Sequence, residues 1–545
     1  MNLLPGVLDD QTVFGRFART AARFPERPFM AVLPETAAAY GIEAGEIRYG
    51  DALARTEALA SDYRAAGYGA GHRVGLLLQN RPDFVFHWFA LNAVGASIVP
   101  INPDLRAAEL EYLIAHSEMV LAVAIEGRVE DLKAAAAAAG AVVRIATVDA
   151  VPPKAIRPSE VGAGLTRASE CALLYTSGTT GKPKGCVLDN NYCLLAGEWY
   201  AAVGGLCALT VEPPERMLTP LPLFHMNAMA YSLIAMVTVG GCIAILDRFH
   251  PRSWWASVRE FRATVIHYLG VMPAMLMSAP ESPADKAHSV RFGFGAGVGR
   301  DIHGPFEERF GFPLLEAWAM TETGAGAVII ASEEPRQIGT NCFGCPKREV
   351  EVKIVTDAGQ DAAVDEPGEL VVRHGGGDPH AGFFREYLKD PEATATAWRD
   401  GWFHTGDVVS RDRDGQLHFV DRKKNVIRRS GENISAVEVE NVLAHHAAVA
   451  QVAVAPTPDP VRGEEVVALV VPKEAGAGSL VAEEIVRYCL TRLAYYKAPG
   501  YVAFVDSIPL TSTAKIQRGA LKTAVEAALA GGRAIDTCSL KKRTA

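Results

Sequence analysis

Four apolar runs rich in β-forming residues constrain this chain more than any other feature: RVGLLL at 73–78, ASIVP at 96–100, VLAVAI at 120–125 and the stretch 264–269. They are apolar almost throughout instead of alternating, and helical patterns separate them, the clearest over 82–94. A strand that is apolar on both sides needs cover on both faces, which a parallel sheet flanked by crossover helices provides. The bulk of the chain is therefore expected to be α/β. At 545 residues it is longer than one hydrophobic core sustains. About two to four structural units are expected at roughly 100 to 200 residues each.

Near residue 350 the pattern changes to strands without long helices between them, at Val350 to Val355, Glu369 to Arg373 and Gln416 to Val420. This reads as a β-rich part spanning 350–420. A charged stretch, DRKKNVIRR at 421–429, then introduces a last segment of different character. Helical spacing over Ser435 to His445, strands at Val449 to Ala455 and Glu465 to Pro472, and a helix over Ala482 to Leu493 predict a small α+β unit. The expected division is a large N-terminal domain, 1–422, and a mobile C-terminal lid, 423–545, with the charged stretch as hinge.

Composition removes several classes. With 49% hydrophobic and 21% charged residues the chain is ordinary for a globular protein, not disordered or fibrous. Lys plus Arg is 54 against 63 for Asp plus Glu, a net charge of −9 that gives no drive towards nucleic acid or an anionic membrane. Nine scattered cysteines fit a reducing, cytoplasmic setting, and the start, MNLLPGVLDD, lacks the basic region of a signal peptide. Met226 to Leu246 is apolar over about the span of a bilayer. It is interrupted by Asn227, Ser232, Thr238 and Gly240-Gly241, which predicts a buried helix, a turn and the strand Cys242 to Leu246. The alanine run 134–139 predicts a surface helix. Cys342-x-x-Cys345 has no second pair at zinc-ligand spacing, so these cysteines read as incidental.

The segment most suggestive of chemistry is LLYTSGTTGKPKG at 173–185, where an apolar strand runs into a loop of hydroxyl and glycine residues ending in two lysines. Such a loop wraps phosphate oxygens. Gly178 and Gly181 let backbone N–H groups approach, the hydroxyls of Thr176, Ser177, Thr179 and Thr180 donate, and Lys182 and Lys184 supply charge. It is not a Walker A loop, because Gly181-Lys182 is followed by Pro183.

TSGTTGKPKG resembles the signature of the adenylate-forming superfamily, which includes acyl-CoA synthetases, peptide-synthetase adenylation domains and luciferase. Further segments match in the family's order. PLFHMN at 222–227 resembles the stretch with a His beside the acyl pocket, Gly295 to Gly297 the glycine turn against adenine, and WAMTE at 318–322 the motif YGxTE. FHTGD at 403–407 resembles the ribose-binding motif, 421–432 the hinge and thiol-tunnel segment, and PLTSTAK at 509–515 the PxTxxGK motif of the catalytic lysine. The stretch 382–440 is most similar to carnitine and crotonobetaine CoA ligases, and no carrier domain follows the last lysine.

The resemblance implies ATP, Mg²⁺ and coenzyme A as cofactors, and a small to medium carboxylic acid as substrate. It assigns catalysis to Lys515, Glu322 and His225, with Glu322 holding the metal ion. Thr176 to Gly181 and Lys184 would grip phosphates. Gly297, Glu316, Ala317, Trp318 and Thr321 would contact the nucleotide, Asp407 and Arg422 its ribose or phosphate. Ser430, Gly431 and Glu432 would meet coenzyme A, with Lys424 at the hinge. The physical need is plain, since attack on the α-phosphate builds negative charge that a cation must meet in a water-poor cleft.

Three departures stand out. Glu316 occupies a position where many relatives have Asn, Ala319 replaces the Gly of YGxTE, and Ala514 replaces the Gly before the lysine. Alternative readings are an enzyme loading a separate carrier protein, or a non-catalytic ATP or acyl binder. Neither nucleic acid nor stable membrane insertion is expected, and homo-oligomerisation stays open.

Overall fold

The computed structural model describes residues 10–160, 164–176, 182–356, 358–422, 426–474, 476–509, 516 and 518–542. Two large sheets carry the body. One runs, edge to edge, through strands at 386–387, 184–189, 170–176, 97–100, 73–77, 121–124 and 144–147. Its last five strands are parallel, while Lys184–Asp189 returns antiparallel to Glu170–Thr176. The other holds strands at 314–318, 292–296, 265–269, 216–219, 242–245 and 28–32 in parallel, with antiparallel strands at both edges. The four runs that opened the sequence reading lie inside these sheets, and Val74, Leu76, Ile98, Leu121 and Val265 are wholly buried.

The helix Pro82–Val94 shows how locally this is set. Proline occupies its first turn, where its missing N–H costs nothing, and Gly95 ends it with φ +84. The helix is buried nearly all round, between the two sheets rather than on the surface. The long apolar run 226–246 folds as expected, as a buried helix, a turn at Gly240-Gly241 and the strand Cys242–Ile245. Its first part, Asn227–Leu233, is wound as a π-helix, which periodicity did not anticipate. The alanine run lies in the helix Val129–Ala138, which buries Ala135 and Ala136 on its inner face. Among the described residues no helix is long and apolar enough to cross a membrane.

From 342 to 422 the chain forms an antiparallel sheet, with strands at 342–344, 417–422, 402–411, 368–374 and 350–355. A separate sheet follows, built from 432–435, 426–429, 463–472, 501–504 and 534–536, with 449–459 paired to 463–472. Its two faces have their own cores, one around Ile427, Val439, Val466 and Ile485, the other around Ala453, Leu469, Leu521 and Val525. The change of sheet falls between residues 422 and 426.

Candidate active site

The strands Glu170–Thr176 and Lys184–Asp189 pair so that Thr176 faces Lys184 across the mouth of the glycine-rich loop. Close by sits Glu322, buried, its Oε1 accepting a hydrogen bond from Tyr387 Oη at 2.9 Å. The Thr176 hydroxyl lies 3.5 Å from the same oxygen. Lys184 Nζ is 4.7 Å above the Tyr387 ring and 3.9 Å from Asp390 Oδ2. Burial, then the charge of Glu322, drives the Tyr387 phenol far above its ordinary range, so it stays a donor. Three sequence-derived residues, Thr176, Lys184 and Glu322, are thus gathered at one place. Tyr387 completes the group; it lies in the stretch 382–440, but no motif singled it out.

Glu316 and Trp318 lie on the strand Leu314–Trp318, parallel to Phe292–Ala296, with Gly295 opposite Glu316. The buried Glu316 carboxylate accepts from Gly297 N at 2.8 Å, Val298 N at 3.1 Å and Tyr268 Oη at 2.8 Å. Gly297 has φ +82, the left-handed conformation that a glycine adopts without strain. Burial pushes the Glu316 carboxyl above its usual range, against the pull of these three hydrogen bonds. Both oxygens therefore hold the glycine turn. Trp318 Nε1 donates to Asp407 Oδ2 at 2.9 Å, and both residues are buried. Asp407 is the register partner of Arg422 on the next strand. Thr321 contributes its carbonyl to Tyr192 Oη at 2.8 Å, Ala317 is half-buried beside Trp318, and Ala319 is exposed, so its extra methyl meets solvent.

His225 precedes the π-helix Asn227–Leu233, a winding often found at functional sites. It is partly exposed, and its Nε2 lies 3.5 Å from Glu432 Oε2. Glu432 and Arg429 face each other across a two-residue turn in which Ser430 has φ +51 and Gly431 φ +87. Two positive φ values in succession are the geometry of a tight hairpin turn. A Cβ on Gly431 would run into Leu269 Cδ1, so the turn is seated against the body as closely as a glycine permits. The turn is braced from behind by Arg429 Nε on Glu465 Oε2 at 2.7 Å. Ser177, Gly178, Thr179, Thr180, Gly181, Lys424 and Lys515, and the side chain of Arg422, lie outside the described residues.

Residues 17–387 match the AMP-binding enzyme family, and residues 438–515 match the AMP-binding enzyme C-terminal domain. The chain belongs to the AMP-binding enzymes. A crotonobetaine/carnitine–CoA ligase from Shigella flexneri is 32% identical over 482 residues, covering 85% of this chain and 90% of that protein. Among solved structures, a double mutant of o-succinylbenzoate CoA synthetase from Bacillus subtilis, bound with its product analogue, is 25% identical with a TM-score of 0.79. The same enzyme in complex with its acyl-adenylate intermediate, also 25% identical, gives 0.64. Both alignments cover 94% of this chain and 98% of that one, so the gap between the scores reflects conformation far more than kinship. This adenylate-forming enzyme has the large N-terminal and small C-terminal architecture of its structural relatives.

Proposed function

We infer that this enzyme is an ATP-dependent acid–CoA ligase that activates a small to medium carboxylic acid as acyl-AMP, releasing pyrophosphate, and then passes the acyl group to coenzyme A. The observation that carries the reading is the grouping of Thr176, Lys184, Glu322 and Tyr387 at the mouth of the glycine-rich loop. The domain division follows the change of sheet: 1–422 as body and 423–545 as lid, with Lys424 at the hinge.

Mg²⁺ fits the donors present. Among the described residues no cluster of three His, Cys, Asp or Glu gathers that could cage an ion. Mg²⁺ needs none, being commonly bound by one or two carboxylates together with substrate phosphates. Glu322 is a buried carboxylate whose visible partners are hydroxyl groups, an oxygen-rich setting of the kind a hard cation prefers. When bound, the ion would neutralise phosphate charge.

In the first half-reaction Thr176 to Gly181 and Lys184 hold the phosphates, and Lys515 meets the charge growing on the α-phosphate oxygens. Asp407, oriented by Trp318 Nε1, accepts from ribose hydroxyls alongside Arg422, while Gly297, Ala317, Trp318 and Thr321 surround the base. Glu316 acts through the turn it holds. In the second half-reaction Ser430, Gly431 and Glu432 approach the acyl carbonyl beside His225, and the thiol displaces AMP. The approach of Glu432 to His225 and of Gly431 to Leu269 supports this reading, as does the higher score against the product-analogue complex.

The test is direct. Purified enzyme is incubated with MgATP, coenzyme A and a panel of carboxylic acids, and pyrophosphate and acyl-CoA are followed with Lys515→Ala alongside. Betaine acids belong in the panel, since the relative from Shigella flexneri that is 32% identical is a crotonobetaine/carnitine–CoA ligase. Acid-dependent thioester formation, lost in Lys515→Ala at the adenylation half, supports the reading. Pyrophosphate without CoA thioester would instead favour a carrier-protein acceptor.

A further inference from the structure

Body and lid also meet at a buried ion cluster on a different part of the interface. Lys497 Nζ donates to Glu438 Oε1 at 2.9 Å within the lid and to Glu109 Oε1 at 2.6 Å in the body. All three side chains are less than a tenth exposed. Glu109 lies in the first turn of the helix Ala107–Ser117, and its Oε2 accepts from Arg106 N at 3.0 Å. The body helix therefore fixes the carboxylate that the lid lysine meets. Alongside, Asn102 Nδ2 donates to Tyr496 Oη at 2.9 Å, while Asn102 Oδ1 accepts from Asp104 N at 2.9 Å. Two consecutive lid residues are gripped by one short body segment, 102–109.

The electrostatics divide this cluster into a permanent and a conditional part. Burial opposes the charge on Lys497, but Glu109 and Glu438 outweigh it and hold the ammonium above its usual range. Burial raises the Glu438 carboxyl, and Lys497 pulls it back. Lys497 and Glu438 belong to the same unit and travel together whenever the lid turns. Glu109 and Asn102 stay with the body. Their bonds to Lys497 and Tyr496 join the two units in the arrangement that seats Gly431 against Leu269.

We propose that Glu109 and Asn102 are positioning residues for acyl transfer: they dock the Tyr496-Lys497 segment and so hold the Ser430–Glu432 turn beside His225. The kinetic consequence rests on the acid–CoA ligase reading, whereas the docking itself does not. Adenylation, which needs Lys515 and not this turn in the cleft, is independent of them.

Glu109→Gln is the sharpest variant, since glutamine retains an oxygen for Arg106 N and turns an amide NH₂ towards Lys497, so that both the charge and the acceptor that Lys497 meets are lost. The full-length enzyme is assayed for acyl-AMP formation and, separately, for acyl transfer from acyl-AMP to coenzyme A; Asn102→Ala is run in parallel. Hydrogen exchange of the ligand-free protein is read at 494–500 and at the lid strands 449–472. Expected are adenylation within about twofold of wild type, acyl transfer slowed about tenfold or more, and faster exchange at 494–500 with 449–472 unchanged. Unaltered transfer with unaltered exchange would overturn the proposal, as would equal loss of both half-reactions with faster exchange throughout the lid. If the wild-type enzyme forms no CoA thioester with any acid, the ligase reading fails, and exchange at 494–500 alone decides the docking.

Discussion

In the body, Glu322 and Glu316 meet hydroxyl and amide donors, whereas in the lid Glu465 and Glu438 meet ammonium and guanidinium groups. All four are buried. Among the described residues no cation lies within ion-pair distance of either body carboxylate, while Arg429 and Lys541 flank Glu465 and Lys497 joins Glu438 to Glu109. A carboxylate held by neutral donors keeps its charge for an incoming group; one held by cations is already neutralised and serves as structure. The difference teaches where ligand chemistry and where mechanical positioning reside. On the proposed reading Glu322 serves the first use, and Glu316, with three donors on two oxygens, shapes a backbone turn. The lid carboxylates fix the hairpin and its docking.

Four changes test that contrast, the largest effect first. Glu322→Gln keeps the shape and removes the charge, and pyrophosphate release should fall about 10²- to 10³-fold, the loss typical of an electrostatic stabiliser. Unfolding should be little changed; an adenylation rate within a few-fold of wild type would place the metal elsewhere. Glu316→Gln forces an amide NH₂ among three donors, so urea unfolding should show a loss of about 1–3 kcal/mol. The KM for ATP should also rise. Stability equal to wild type would mean that the turn does not depend on this carboxylate.

The third change concerns charge inside the lid. Burial, aided by Arg429 and opposed by Glu465, pushes the Lys541 ammonium down to about 8. Between that value and an unfolded value near 10.5, the unfolded chain binds the extra proton, so stability rises with pH there. Compared with Lys541→Met, the wild type should gain roughly 1 kcal/mol per pH unit from about pH 8 upwards. Parallel curves for the two proteins would show that Lys541 does not titrate in this range. The smallest effect is expected from Tyr387→Phe, which removes one hydroxyl from Glu322 and should slow adenylation about tenfold or less. A loss matching that of Glu322→Gln would give the hydroxyl a larger part.

The alternation of apolar runs and helices was legible because strands covered on both faces are apolar on both sides, and the helix Pro82–Val94 carries its own start signal at Pro82 and stop signal at Gly95. The change to β-rich segments near 350 was legible for another reason, the lack of long helical patterns between those strands. The π-winding of Asn227–Leu233 was not, since it adds no change of composition to an already apolar run. Thr176, Lys184 and Glu322 were found through motifs, and the structure brings them together. Tyr387 escaped because a single tyrosine carries no spacing, and the Glu109–Lys497 contact because it joins residues 388 positions apart. Glu316 illustrates the opposite limit. Its place in the motif pointed to the nucleotide, but only coordinates show both oxygens on the turn.

The central claim is that one cleft serves two half-reactions and that the lid described here is placed for the second. Gly431→Val tests it most directly, because a branched side chain at φ +87 is strained and its Cβ would collide with Leu269 only when the hairpin is seated. Single-turnover rates of acyl-AMP formation and of its conversion to acyl-CoA should separate, adenylation staying within about threefold and acyl transfer falling at least about thirtyfold, close to 2 kcal/mol. Equal loss of both steps, or undiminished transfer, would contradict it.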